Sequence, residues 1–453
     1  MATAENANGQ QEKPRTAGET GWHPSRYNIM APVPDSDLVA IYNPFKGICS
    51  TYNPLEMYLF SVIEELDEDH PIIERFAKRG IIANYDERAA FEAQRRLECA
   101  TAKDGDVQVT ICPTMACNFE CPYCFSIRGS GKMSPEVQDD VVALVGRMLD
   151  AARAKKLTIT WFGGEPLLAP DVIESLSPRL IALAEEHGCE YKSWIFTNGY
   201  LITQEIVDMF GRCQITRVHI PLDGIGETND ATRRLVGGGP TFERIIENLD
   251  LLKPPIATLV RANTHEGNVS QLDDLKALVL KRGRDAGNII NFYVARLVDV
   301  SPADEPNSPM AEYAFDGIEV SLRPENRNVP VGVDHACVAQ NLWLVAIDDA
   351  GYLYKCGGKL CGQPKFAFAT AKDWDPADPL ATASNPDMLS RFLNTCTFSP
   401  DDKCYECVWL PVCGGGCPQL RLFGKQKCPP YRYDPEAFVL ALNARIDKTE
   451  ESD

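Results

Sequence analysis

Between Gln108 and Ala295 six short apolar runs alternate with segments of helical periodicity. The runs fall at 108–112, 158–162, 193–197, 216–221, 257–262 and 290–295. The helical segments lie near 135–150, 171–187, 203–211, 242–253 and 271–284. Strands joined by crossover helices pair in parallel, and a parallel sheet carries helices on its faces. The pattern predicts an α/β fold, an open, partial (βα)6 barrel whose chemistry sits at the C-terminal strand ends.

The loop after the first run is Cys117-Asn-Phe-Glu-Cys121-Pro-Tyr-Cys124. Three thiolates on a short loop can hold three irons of a cubane cluster and leave the fourth open. An open position marks a site that binds and activates something, as it does for zinc. A zinc knuckle or a set of buried free cysteines is the alternative that the short motif also permits. The C-x3-C-x2-C spacing, with Tyr123 before the last cysteine, resembles the signature of radical S-adenosylmethionine (SAM) enzymes. The resemblance implies a TIM-like radical SAM barrel, SAM chelated to the open iron of a 4Fe–4S cluster, and cleavage of SAM to a 5′-deoxyadenosyl radical.

Other strand ends carry matching segments. Gly163-Gly164-Glu165-Pro166 resembles the family's GGEP motif, which receives the SAM ammonium; glycines allow close backbone approach to a ligand and a carboxylate partners a cation. Thr197-Asn198-Gly199 and Leu222-Asp223-Gly224 resemble family segments lining the SAM ribose and the substrate channel. The serine that usually precedes Leu-Asp-Gly is Pro221 here, so its contact is absent. Arg261 and Asn263 are candidates for the SAM carboxylate and ribose, with a surface ion pair the alternative for the arginine.

A second constellation begins at Cys337. Thirteen residues separate it from Gly351, and Cys356 follows after four more; then come Cys404, Cys407, Cys413 and Cys417, spaced C-x2-C-x5-C-x3-C, and Cys428. This resembles the seven-cysteine SPASM domain of radical SAM enzymes that act on peptides and proteins. The resemblance implies two auxiliary 4Fe–4S clusters, three clusters in all. Cys337, Cys356 and Cys417 would hold auxiliary cluster I, and Cys404, Cys407, Cys413 and Cys428 auxiliary cluster II. Some relatives complete cluster I with a cysteine six positions before its first; that position is Val331 here, leaving Cys361, Cys396, a substrate group or an open site. A zinc ribbon on Cys404, Cys407, Cys413 and Cys417 is the competing reading. His335 reads as a loop residue, and Cys49, Cys99, Cys112, Cys189 and Cys213 as small buried hydrophobes.

The 453-residue chain has a formal charge of −19, which argues against nucleic acid or a membrane surface as its main partner. It has no spanning apolar run and no signal-peptide pattern, so the expectation is a cytoplasmic protein whose 17 cysteines serve metals rather than disulfides. The layout expected is a disordered tail (1–25), an N-terminal α+β domain (26–105), the radical SAM core (106–298), a linker (299–335), the SPASM domain (336–432) and a C-terminal helix and tail (433–453). In the α+β domain a hairpin joins Leu38–Tyr42 to the segment around Ile48, helices follow over Pro54 to Leu66 and Pro71 to Arg79, and a strand at Ile81–Tyr85 leads to a helix over Arg88 to Ala100. The unit resembles the winged-helix precursor-recognition element of peptide-modifying radical SAM enzymes; a plain structural cap is the alternative. Together these imply an enzyme that oxidatively modifies or cross-links a residue of a ribosomally made precursor peptide or protein, fed electrons by a donor such as flavodoxin or ferredoxin. The alternatives are a sulfatase-maturing, formylglycine-forming enzyme, and a zinc-stapled binding protein. In the sulfatase relatives an Asp taken as the base follows the cysteine of the G-x4-C element, where this chain has Gly357.

Overall fold

The computed structural model describes residues 21–101, 105–297, 299, 337–358, 361–425 and 428–450. Val331, His335 and nearly all of the expected linker lie outside the described residues. Two compact units are present, Met1–Phe91 with Pro435–Asp453, and Glu92–Asp434.

In the first unit, β1 (His23–Pro24), β2 (Ile29–Pro32), β3 (Val39–Asn43), β4 (Ile48–Tyr52) and β5 (Ile82–Ala83) accompany α1 (Pro54–Ser61) and α2 (Pro71–Arg79). β2, β3 and β4 form an antiparallel sheet, the β3–β4 turn closing at Gly47 with φ 70°. α1 starts at a capping box: Glu56 N donates to Asn53 Oδ1 at 3.0 Å and Asn53 N to Glu56 Oε2 at 2.9 Å. It stops at Ser61 and yields to a 3-10 turn at Ile63–Glu65, short of the predicted Leu66. α2 ends at Gly80, whose φ of 70° suits a left-handed cap. Ile41, Tyr52, Phe60, Ile63 and Phe76 make the core, and the helix Pro435–Glu450 lays Phe438 against Tyr42, ring centroids 5.7 Å apart.

Residues 21–25 are a correction to the expected tail. His23–Pro24 pairs with β5, and the hydroxyl of buried Ser25 donates to Glu87 Oε1 at 2.7 Å and accepts from Asn43 Nδ2 at 2.7 Å. Averaging composition over the whole stretch hides these last few residues, which long-range hydrogen bonds order.

α3 (Glu87–Ala100) leads to the second unit. Here β6 (Asp106–Ile111), β7 (Lys156–Trp161), β8 (Glu190–Phe196), β9 (Ile215–Pro221), β10 (Ala257–Thr264) and β11 (Ile289–Arg296) pair in parallel and in sequence order. α4 (Pro135–Ala152), α5 (Pro170–Glu186), α6 (Gln204–Arg212), α7 (Glu227–Thr232), α8 (Phe242–Leu249) and α9 (Leu272–Ala286) connect them. Leu157, Thr158 and Ile159 are all buried, as in a strand covered on both faces. Trp161 is fully buried and its indole donates to Ser193 Oγ at 3.1 Å, so truncation to Ala costs about 3–5 kcal/mol. α7, a short polar helix without apolar periodicity, was not read from the sequence.

Beyond β11 the sequence showed no strands, yet the sheet continues. β12 (Leu344–Ile347) runs parallel to β6, and β13 (Tyr352–Tyr354) and β14 (Ala369–Thr370) follow antiparallel, giving nine strands among the described residues. The cysteine-rich segment and the strand leading to Cys117 thus share one ladder. No helix among the described residues is long and apolar enough to cross a membrane.

Candidate functional site

β6 alternates buried and half-buried residues and ends at Ile111, where Cys112 N donates to Ile347 O at 2.8 Å. The chain then leaves the sheet in a loop closed by Met133 N to Pro113 O at 2.9 Å and Gly129 N to Met115 O at 3.0 Å. Within it Cys117 and Cys121 are half-buried and Cys124 exposed. Phe119 N donates to Cys117 Sγ at 3.4 Å, Cys124 N to Cys121 O at 3.1 Å, and Glu120 N to Arg234 O at 2.8 Å. Burial pushes the Cys117 thiol up to about 11, and the Cys124 sulfur adds to the rise. Burial also pushes Cys121 up to about 12, with the sulfurs of Cys124 and Cys117 adding further. The three sulfurs therefore lie within one another's fields.

The second strand end packs directly on this loop. Glu165 N donates to Ala116 O at 2.8 Å and Gly164 N to Thr114 O at 3.2 Å. A Cβ on Gly164 would sit 2.1 Å from Ala116 O, and one on Gly163, whose φ is 119°, 2.3 Å from Thr114 O. The sequence reading assigned these glycines to approach of a ligand; the approach seen is of one loop backbone to another. Glu165 is 1% exposed, and both carboxylate oxygens are occupied. Oε1 accepts from Thr197 Oγ1 at 2.7 Å and Leu167 N at 3.0 Å, and Oε2 from Asn198 N at 2.7 Å. Burial raises its pKa to about 7 against the pull of these donors. Pro166 opens the short 3-10 helix Pro166–Leu168. Glu165 thus ties the second strand end to the third. Asn198 Nδ2 continues the tie to Asn118 Oδ1 at 2.7 Å, while Asn118 Nδ2 is buried with no partner.

Asp223, at the fourth strand end, is fully buried. Its Oδ1 accepts from Asn263 N at 3.3 Å and Asn263 Nδ2 at 3.2 Å; Oδ2 accepts from Thr232 Oγ1 at 3.2 Å and from the Tyr123 hydroxyl. Burial and the Asp223 charge hold the Tyr123 phenol protonated well above the usual range. Arg233 Nη1 donates to that hydroxyl at 3.1 Å. Burial works against the Arg233 charge, but the fields of Tyr123, Cys121 and Asp223 outweigh it and hold its pKa above the ordinary value. Its Nε is buried without an acceptor. Tyr123, Asp223 and Asn263, chosen separately from the sequence, therefore form one network, and Arg233, which sequence reasoning missed, completes it. Nothing local marks Arg233 from its neighbour Arg234, which is half-exposed and 3.6 Å from Glu120. Arg261 stands apart from the network; Leu222 N donates to its carbonyl at 2.9 Å, and its Nε also lacks an acceptor.

The later cysteines fall into two groups. Burial pushes Cys337 up to about 11 and Cys356 to about 12; the Cys417 sulfur acts on both and the Cys337 sulfur on Cys356. Cys404, Cys407, Cys413 and Cys428 line one cavity, walled by Trp409, Leu410, Pro429 and Arg432. Cys361 lies within the field of Cys356, yet its sulfur is 3.8 Å from that of Cys112; Cys396 Sγ donates to Leu393 O at 3.1 Å and lies beside Cys99. Cys112 and Cys99 are buried as expected, Cys112 within an apolar cluster, and each also meets a second thiol. Among the described residues no group of three or more His, Cys, Asp or Glu is set to hold a single metal ion. A single ion needs ligands converged on one point, whereas a cubane takes each thiolate on a different iron. Thiols in groups of three and four, an arginine beside one of them, and unpartnered donors at the first suit a cluster and a carboxylate-bearing ligand.

Residues 111–254 match the radical SAM superfamily. Pre-heme d1 synthase of Dinoroseobacter shibae is 28% identical over 204 residues, 44% of this chain and 46% of that protein. A cysteine-type anaerobic sulfatase-maturating enzyme of Clostridium perfringens is 22% identical over 341 residues, 67% of this chain and 86% of that protein. The first curated relatives are matched over 32–63% of their own length. Among solved structures, anSMEcpe with bound AdoMet superposes with a TM-score of 0.58 at 18% identity, covering 76% of this chain and all of that one. Streptococcus suis SuiB bound to precursor peptide SuiA gives 0.50 at 15% identity, covering 90% and 98%. These structures share its fold. Built on a parallel sheet with its cysteine loop at the first strand end, the chain carries a radical SAM domain.

Proposed function

We propose that the chain is a radical SAM maturase that oxidatively modifies or cross-links a residue of a ribosomally made precursor peptide. The observation that carries this reading is the fastening of the Cys117–Cys124 loop to the second, third and fourth strand ends, through Glu165, Asn198 and the Tyr123–Asp223–Arg233 network. With SAM and a 4Fe–4S cluster held by Cys117, Cys121 and Cys124, and one electron from a flavodoxin or ferredoxin, such a domain supplies a 5′-deoxyadenosyl radical. Arg233, its guanidinium kept charged, would orient the SAM carboxylate. Asp223 and Asn263 would receive hydroxyls, and Glu165 keeps the two adjacent loops in register with acceptor capacity on Oε2 left for the SAM ammonium. A net oxidation needs an electron acceptor, and the groups Cys337/Cys356/Cys417 and Cys404/Cys407/Cys413/Cys428 are the residues that would hold two auxiliary clusters for it.

The peptide substrate rests on SuiB, which was solved with its precursor peptide and covers 90% of this chain, and on the separately packed N-terminal sheet, which we assign to precursor recognition. Formylglycine formation is the second reading, favoured by the likeness to sulfatase-maturating enzymes and weakened by Gly357 where those relatives carry their base. The test is anaerobic reconstitution followed by incubation with reductant and SAM, with and without candidate peptides. About twelve irons per chain, 5′-deoxyadenosine and a peptide mass loss of two hydrogens are expected. Zinc without labile sulfide, or intact SAM, overturns the reading. A sulfatase-derived peptide converted in place of a precursor selects the second.

A further inference from the structure

The cavity lined by Cys404, Cys407, Cys413 and Cys428 is otherwise apolar except for Arg432. That residue ends the short 3-10 turn Pro430–Arg432, whose Arg432 N donates to Pro429 O at 3.1 Å. The turn is anchored by Tyr431, buried and packed on the buried Trp409 with ring centroids 4.8 Å apart. This packing brings Arg432 Nη1 to 2.9 Å from Cys407 Sγ. An arginine cannot shed its charge, so the cavity holds a fixed positive donor against one of its four sulfurs.

We propose that Arg432 sets the reduction potential of the auxiliary cluster these four cysteines would hold. The inference rests on the cluster reading above. Thiolate-ligated clusters are anionic and become more so on reduction, and hydrogen bonds to the sulfurs and local charge are the levers that shift their potential. A cation hydrogen-bonded to a ligand sulfur in a low-dielectric pocket stabilises the reduced form more than the oxidised one. Arg432 therefore raises the potential of this cluster and makes it a better electron acceptor than it would be without the arginine. Its role is one of positioning and tuning, without contact with substrate.

The test uses the full chain, reconstituted without oxygen, as wild type, Arg432→Gln and Arg432→Lys, with EPR followed against applied potential. Arg432→Gln is expected to keep about twelve irons and to move one midpoint potential down by the equivalent of roughly a tenfold change in the oxidised-to-reduced ratio, about 59 mV for one electron. The others stay in place. Arg432→Lys moves the same signal down by less. A merely structural arginine lowers Tm and leaves every potential unchanged, and that result overturns the inference. If Arg432→Gln loses iron, the lysine variant decides, because an unshifted signal there overturns it equally. A wild-type chain with about eight irons, from which Cys404→Ala removes none, overturns the underlying cluster reading instead.

Discussion

Asn198 Nδ2 donates to Asn118 Oδ1 at 2.7 Å, joining residues 80 positions apart. The bond runs from the third strand end to the middle of the cysteine loop. It shows why a loop with few side chains of its own in the core can hold a fixed shape: neighbouring strand ends grip it.

The grip depends on backbone contact, so Gly164→Ala is expected to damage it. Its Cβ would stand 2.1 Å from a carbonyl oxygen that cannot rotate away. Overpacking of this kind costs about 1–3 kcal/mol. Thermal unfolding should show the loss, and reconstitution should return about four irons fewer. Gly211→Ala is the control: nothing lies within 4 Å of its Cβ and it sits in α6, so Tm should hold or rise.

Replacing Arg233 should weaken SAM without unseating the first cluster. Arg233→Leu removes the guanidinium we assign to the SAM carboxylate and is expected to weaken SAM binding at least tenfold, about 1.4 kcal/mol, by equilibrium dialysis on the reconstituted protein. Arg233→Lys recovers part of it. Unchanged affinity in both variants would remove Arg233 from the site.

The cysteine loop also gives the unloaded chain a pH signature. Burial raises Cys117 to about 11 and Cys121 to about 12. An acid whose folded pKa exceeds its unfolded value contributes stability that is complete below the unfolded value and lost as pH rises through the folded one. With an unfolded thiol near about 8.5, Tm of the metal-free chain should fall from about pH 8.5 upward. The Cys117→Ala/Cys121→Ala variant should fall less steeply. The same protonation means that iron loading releases protons, so loading at a limiting iron concentration should improve between about pH 7 and pH 8.5.

We read neither spare cysteine as the fourth ligand of the Cys337 group, although Cys361 also acts on Cys356. Cys361 faces Cys112 at 3.8 Å, and Cys396 donates to Leu393 O at 3.1 Å beside Cys99. Cys361→Ala and Cys396→Ala should each keep about twelve irons. Loss of about four in either identifies the missing ligand.

Much of this protein was legible in one dimension. Six parallel strands and their principal helices were readable because each buries apolar residues at its own fixed period, which needs no partner to be recognised. The cysteine spacings were readable for the same reason, since ligand sets on short loops are local. Arg233 and Asn118 were not, because their roles depend on which strand ends meet. Nor was the extension of the sheet by β12 to β14, where short strands take their identity from β6 rather than from their own pattern. Residues 21–25 were misread as tail because the bonds that order them reach Glu87 and Asn43. Sequence determined which groups carry the chemistry; the tertiary structure decided which of them touch, because hydrogen bonds and charges act over a few ångströms of space and not along the chain.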